Sequence, residues 1–421
     1  MTRLCTLGIA AFMAGAPLLG LAAQRPGPST VVVPVKRLEA GVTVLTHDRA
    51  AFARAAQFTI ATAPEAVFGG TDGDPAYDLT GVTSVVLQAD GGIAAWTSAQ
   101  HLVVFNPDGT ARRIVGRRGQ GPGEFAGARE LLALAADTLL VTDYSNVRMS
   151  WLLPSKGVVR TESLQGRLPA LVQRPAGVLP RGRVVMTSAG IWTPSTHPPS
   201  GAFRTGASIV VVPLRGPAPV IATVPDVQLK TVQTNFNGRP GVMADYVRYG
   251  ATAHVVVWDT LIATATGEAY QIDLRNGEGR VVSRIRITAP RRAVTPAMRN
   301  ARIKEEVDRL RQSLSRGEGT RDPIEAERLF RVAPIADSLA AWAGVLVAPN
   351  RTLWLLDPIV PSDTGWTATA LRRDGAIIGR LHGPGRAIPV AFGDDRVVLR
   401  SADADGVVML AIHRIVRAPS R

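Results

Sequence analysis

Residues 103–149 read VVFNPDGTARRIVGRRGQGPGEFAGARELLALAADTLLVTDYSNVRM, and their pattern decides the fold. A β-branched run ends at Phe105, Asn106-Pro107-Asp108-Gly109 turns the chain, and a second run closes on Val115. A glycine-rich connection, 116–125, leads to two more apolar runs flanked by Asp143, Asn146 and Arg148. Runs this short, punctuated by Gly, Pro, Asn and Asp, read as antiparallel strands; an amphipathic helix needs apolar residues three and four apart over a longer stretch.

The same unit recurs along the chain. Strands expected at 82–88, 93–97, 101–105 and 112–115 make one group of four, and 129–135, 138–142, 148–153 and 157–161 make a second. Equivalent turn glycines at 109, 157, 216, 277 and 375 are 48, 59, 61 and 98 residues apart. Repeated four-stranded units of this kind are the blades of a propeller. The longest interval contains an insertion, about 293–331, with helical patterning: Thr295-Pro296 as a start, then Ile303, Val307, Leu310 and Leu314 on one face, with Glu305 and Arg309 paired. A second short helix is expected from Asp322-Pro323, with Glu325 in its first turn.

Strands at 339–347, 352–356, 367–372 and 376–381 form a later blade, and the tail (388–392, 396–401, 407–415) supplies only three. The alternating segment 57–63 is expected to provide the missing outer strand and close the ring, which removes an open sheet edge. The expected architecture is therefore all-β: a six-bladed β-propeller of four-stranded antiparallel blades over 57–417, with a helical insertion between blades 4 and 5. Residues 25–56 precede it as an N-terminal extension, and the unit near 169–224 is weakly patterned.

Residues 119–149 resemble an NHL repeat. Gly119, Gly121 and Gly123-Glu124-Phe125 stand where that motif has its glycines and Gly-x-Phe element, and Val141-Thr142-Asp143-Tyr144-Ser145-Asn146-Val147-Arg148-Met149 matches its Val-x-Asp-x-x-Asn-x-Arg-Ile ending. Elsewhere the likeness is diffuse; Trp96, Ala99 and His101 replace the Asp, Asn and Arg of the motif in the first blade. The chain as a whole is similar to secreted bacterial six-bladed propellers related to NHL and TolB-like proteins. That resemblance implies a fold and a turn-fixing role for Asp143 and Arg148, not an activity, because the fold hosts binding modules, hydrolases and lyases.

Residues 1–24 have a basic start at Arg3, an apolar stretch to Leu21 and small residues Ala22-Ala23. This is the form of a secretory signal peptide cleaved near Ala23, so the mature protein is expected to be secreted or periplasmic, with no membrane span. The single cysteine, Cys5, lies within that leader, leaving the mature chain without disulfide or thiolate chemistry. Net charge is +14, yet lysine occurs only at positions 36, 156, 230 and 304, and basic pairs are scattered. Arginine spread this way follows from a GC-rich coding sequence, and no nucleic-acid partner is expected.

Three residue sets invite a chemical reading. Arg117 and Arg118 beside the glycines, with Glu124, form a candidate binding loop for an anion, although glycine at a blade junction also serves positive φ. Gly119, Gly121, Gly123, Phe125, Asp143, Asn146 and Arg148 are read as the structural motif of the junction. Asp72, Asp74 and Asp78, and Asp403 and Asp405, lack the spacing of a calcium loop, and the six histidines at 47, 101, 197, 254, 382 and 413 form no metal motif. No metal ligand or cofactor is assigned, although a propeller channel can gather a calcium or zinc site from different blades. Trp192, Trp258, Trp342, Trp354 and Trp366 are expected in the core rather than on a ligand face. The leading expectation is a binding or interaction scaffold for a protein, peptide or carbohydrate. The alternative is a metal-dependent, lactonase-like hydrolase or lyase with acidic and histidine side chains converging on the axis.

Overall fold

A computed structural model describes residues 31–419 apart from 71–76, 135–136, 170–171, 189–198, 214, 237–238, 316–322 and 404–405. The leader, Asp72, Asp74, Asp322, Asp405, Trp192 and His197 lie outside the described residues. The chain begins with a hairpin, β1 (Val35–Glu39) and β2 (Val42–His47), then a short helix α1 (Ala51–Arg54), β3 (Gln57–Ile60) and β4 (Ala66–Phe68).

Four-stranded antiparallel sheets follow. β5 (Val82–Leu87), β6 (Ile93–Thr97), β7 (Leu102–Phe105) and β8 (Ala111–Val115) form one; β9 (Ala128–Ala133), β10 (Leu139–Asp143), β11 (Arg148–Leu153) and β12 (Gly157–Ser163) form the next. β13 (Val172–Leu179), β14 (Arg183–Ser188), β15 (Ala202–Val212) and β16 (Val220–Phe236) are joined by a fifth strand, β17 (Arg239–Tyr246). β18 (His254–Trp258), β19 (Leu261–Ala265), β20 (Gln271–Arg275) and β21 (Val281–Ile287) precede two helices, α2 (Pro296–Ser315) and α3 (Pro323–Arg331). β22 (Gly344–Val347), β23 (Leu353–Leu356), β24 (Gly365–Leu371) and β25 (Ile377–Pro384) come next, and β26 (Ile388–Phe392), β27 (Arg396–Ala402) and β28 (Val408–Arg417) end the chain.

The first strands of successive sheets pack in the order β5, β9, β13, β18, β22, β26 and back to β5. That cyclic order is a β-propeller. It explains why the second and third strands read as unbroken apolar runs. Ile93 to Trp96, Leu102 to Phe105 and Leu139 to Val141 are almost wholly buried, because each blade is covered on both faces by its neighbours. Aromatic pairs mark the seams: Trp96 lies edge-on to Phe125 at 4.8 Å, and Trp354 stacks on Phe392 at 4.4 Å. Trp258, Trp342, Trp354 and Trp366 are all buried.

Closure differs from the single strand expected at 57–63. The outer edge of β28 is shared: β4 pairs with Leu410–Ile412, whereas β3 pairs with Ile415–Arg417. The other edge of β3 runs parallel to Arg380–His382 of β25, so one four-residue strand sutures two blades. Phe68 anchors β4 in the core, fully buried and edge-on to Phe105. Residues 35–47 likewise join a blade, with β2 adding parallel to β21 and the Nε2 of the buried His47 meeting the Gly375 carbonyl at 2.8 Å.

Because strands alternate in direction, the hairpins between first and second and between third and fourth strands fall on one face. These are short, as at 88–92, 106–110 and 372–376. Connections between blades fall on the opposite face, together with those between second and third strands. They include 116–127, 288–343 with both helices, and 357–364. The far ends of β15 and β16, with β17, extend on this long-loop face and meet α3, where Thr234 donates to Glu325 at 3.0 Å. Thr295 caps α2 by accepting from the Met298 N–H at 3.2 Å, and Arg248 is held between Asp245 and the buried Glu306 of α2.

Candidate functional site

The glycine-rich junction turns its polar groups inward. Asp143, at the end of β10 and 1% exposed, accepts from the backbone N–H groups of Ala126, Gly127, Ser145 and Asn146 at 2.9 to 3.2 Å. Asn146 donates to the Gly119 carbonyl at 3.0 Å, and Arg148 donates to the carbonyls of Gln120, Gly121 and Glu124. Phe125 fills the seam against Trp96, and a Cβ on Gly116 would sit 2.9 Å from its ring. The Gly119 N–H goes to the Phe125 carbonyl and the Gly121 N–H to Glu124, so these two amides are committed within the loop. Glu124 also pairs with Arg117 at 2.8 Å, which together with the Gly121 N–H holds its carboxyl below the usual range. Arg118 donates to the Ser98 carbonyl at 3.0 Å, and the Gly123 position has left-handed φ of +73°.

Arg117, Arg118 and Glu124 are therefore brought together as a self-satisfied corner. Arg117 remains 80% exposed at its surface. The calcium-like aspartates that are described act in turns: Asp78 accepts from the Thr80 N–H and Asp403 from the Val407 N–H, each at 2.8 Å.

A cleft of about 670 Å³ opens on the long-loop face beside the β22–β25 blade. Its polar wall is one row across the sheet. Asp357, just past β23, donates its N–H to the Thr367 carbonyl at 2.9 Å; Thr367 pairs with His382, and His382 with Thr59 of β3. Cross-strand partners point their side chains to the same side, so the register alone gathers these groups. Gln57 spends its amide N–H groups on the carbonyls of Ala55 (2.6 Å) and Phe52 (3.4 Å), which leaves Oε1 facing His382 Nε2 at 2.8 Å. Nε2 therefore carries the imidazole proton, and Nδ1 accepts from the Thr367 hydroxyl at 3.2 Å. Burial, reinforced by the nearby Arg380, lowers the His382 pKa and favours this neutral form.

Asp357 is strongly perturbed. Burial pushes its carboxyl up to about 6, against the opposing pull of Arg380 at 2.5 Å. It keeps 28% of its side-chain surface exposed. The Arg380 guanidinium lies 4.7 Å from the centre of the Phe52 ring. At the mouth, Arg292 grips Asp363 with two 3.0 Å bonds; burial acts to raise that carboxyl, but Arg292 and the Val360 N–H outweigh it and hold it low. Tyr270 also lines the cleft, its ring edge-on to Trp342 at 4.9 Å.

Of this cleft, the sequence points to His382, as an isolated histidine, and to Trp366, expected in the core; the structure buries Trp366 at 3% exposure and also sets it in the cleft wall. The available signal was Thr367-x-Thr369, Arg380-x-His382 and Gln57-x-Thr59: polar residues at strand period 2 on blades otherwise filled with apolar ones. On the first strands near the axis, Glu130 lies 3.9 Å from Arg174 and is raised by burial, and burial lowers His254. Among the described residues, no three His, Cys, Asp or Glu side chains come together as metal ligands would.

No protein-family model matches the chain, and no curated protein does. Solved structures similar to it include a Bacteroides fragilis protein assigned as exported, at 11% identity and TM-score 0.46 over 90% of this chain and 100% of that one. A gluconolactonase from Xanthomonas campestris matches at 14% identity and TM-score 0.40 over 85% and 97%, and virginiamycin B lyase from Staphylococcus aureus at 9% and 0.37 over 79% and 95%. Likeness at this level carries no argument about chemistry, and the site must speak for itself.

Proposed function

We propose that this protein is an exported six-bladed β-propeller that binds a small ligand in the cleft beside the β22–β25 blade. Six first strands in cyclic contact support the blade count, and the basic, apolar and small-residue pattern of 1–24 supports export. Among the described residues no helix is long and apolar enough to cross a membrane.

One observation carries the binding reading. The row Asp357, Thr367, His382 and Thr59 lines an open cleft on the face that holds the long connections. Buried strand faces between blades are mostly apolar, so an acid–guanidinium pair and an imidazole gathered at an open cleft support a binding role for it. A concave site of this volume with few convergent polar groups suits a small molecule. The glycine junction at 116–127 is assigned a structural role in this reading, and Arg117 and Arg118 are not part of the site.

The test is a thermal-shift screen of sugars, short peptides and small carboxylates on the native protein and on a Thr367→Trp variant, which fills the cleft. A compound present at about 100 times its Kd adds roughly 2.7 kcal/mol of stability. The expected result is a shift for the native protein that disappears in the variant. A compound that shifts both equally binds elsewhere and refutes this placement.

A further inference from the structure

Resting on the reading of the cleft as the binding site, we infer that its ligand is an uncharged carbohydrate. The first argument is charge. The cleft wall holds two carboxylates, Asp357 and Asp363, and each already has its guanidinium: Arg380 at 2.5 Å and Arg292 through two bonds at 3.0 Å. His382 is held neutral between Gln57 and Thr367. Among the described residues that line the cleft, no charged side chain lacks an opposite partner, so a charged ligand would find no free counter-charge on the wall itself.

The second argument is hydrogen bonding. Paired Asp and Arg side chains retain further lone pairs and N–H groups, and the row adds the hydroxyls of Thr367 and Thr59 and the exposed flank of His382. The wall thus offers donors and acceptors together, a mixture that vicinal hydroxyl groups answer, each being donor and acceptor at once. The third argument removes the peptide. An extended peptide recognised through its backbone needs a free strand edge, but β23 lies between β22 and β24, and β25 between β24 and β3.

The experiment is calorimetric titration of the full chain with xylose, glucose, galactose, mannose, N-acetylglucosamine, maltose and cellobiose. Glucuronate, a glucose phosphate and diglycine are titrated beside them. At least one neutral sugar is expected to bind, with glucuronate or the phosphate at least about tenfold weaker, a difference of 1.4 kcal/mol. Thr367→Trp should abolish that binding. Thr367→Val, close in shape and lacking the hydroxyl, should weaken it about fivefold, the loss of one hydrogen bond, with only a small fall in melting temperature because the His382 bond it also loses is exposed to water. Binding of diglycine or a charged sugar instead, lost in Thr367→Trp, overturns the carbohydrate assignment and leaves the cleft as the site. A neutral sugar that binds the Thr367→Trp variant unchanged overturns both. Binding by none of the neutral sugars overturns the assignment.

Discussion

Replacing Asp357 with Asn isolates the electrostatic cost built into the cleft. The carboxyl is raised from 3.8 to about 6, burial outweighing the attraction of Arg380. Since the folded pKa lies above the unfolded one, the folded state holds its proton longer, and stability falls as pH rises from about 4 through 6. A shift of roughly two pKa units amounts to about 3 kcal/mol above that window. About 1 kcal/mol of it is already lost by about pH 4.5, so about 2 kcal/mol remains between about pH 4.5 and pH 7.5. The Asp357→Asn variant cannot titrate. Its unfolding free energy minus that of the native protein should therefore grow by about 2 kcal/mol over that interval. Groups held low by their partners, such as Glu65 beside Arg414 and Arg396, titrate in both proteins and cancel. The difference at a single pH is not diagnostic, because removing the carboxylate also strands Arg380. Urea unfolding followed by tryptophan fluorescence at the two pH values measures it. Parallel pH dependences, within about 0.5 kcal/mol, would falsify the raised carboxyl.

Two further substitutions test the frame that holds the cleft. Asp143→Ala removes the acceptor of four backbone N–H groups at a 1% exposed position and should lower stability by about 3 kcal/mol in urea; a loss below about 1 kcal/mol contradicts the turn-fixing role. Phe68→Ala empties a fully buried site on the closing strand β4 and should cost about 3 to 5 kcal/mol, with a matching fall in melting temperature. A change within about 1 kcal/mol shows that β4 does not hold the ring shut.

What was legible in the sequence follows from where each strand is covered. Ile93 to Trp96 and Leu139 to Val141 are sandwiched between blades, so burial on both faces writes itself as an apolar run bounded by turns. β4 is three residues long, and only its pairing with Leu410–Ile412 makes it a strand, which no local pattern announces. β16, seventeen residues long, leaves the ring halfway and pairs there with β17, so neither blade spacing nor blade patterning applies to it. The parallel docking of β2 on β21 is set across some 240 residues of chain and is equally silent locally. The cleft is harder still to read. Its bond from His382 to Gln57 spans 325 residues, and Asp357 becomes unusual only once Arg380 and the blade around it are in place.

The position of the cleft also ties it to closure. β3 is the only segment in hydrogen-bonded contact with both β25 and β28 among the described residues; it contributes Thr59 to the polar row, and its Gln57 holds His382. Phe52, one turn earlier, carries the Arg380 guanidinium on its ring. The same short stretch, 52–60, therefore sutures two blades and shapes the site. A four-residue strand offers few bonds of its own, so its local stability depends on the side chains that grip it: the amide of Gln57, the imidazole of His382 and the aromatic contact of Phe52. On the proposed reading, a ligand resting on Thr367 and His382 would stiffen those grips, and by linkage whatever loosens the suture would weaken its binding. On that same reading, placing the polar row at the seam, rather than on the axis where the first strands carry mostly apolar side chains, would make occupancy of the cleft and integrity of the ring two readings of one set of contacts.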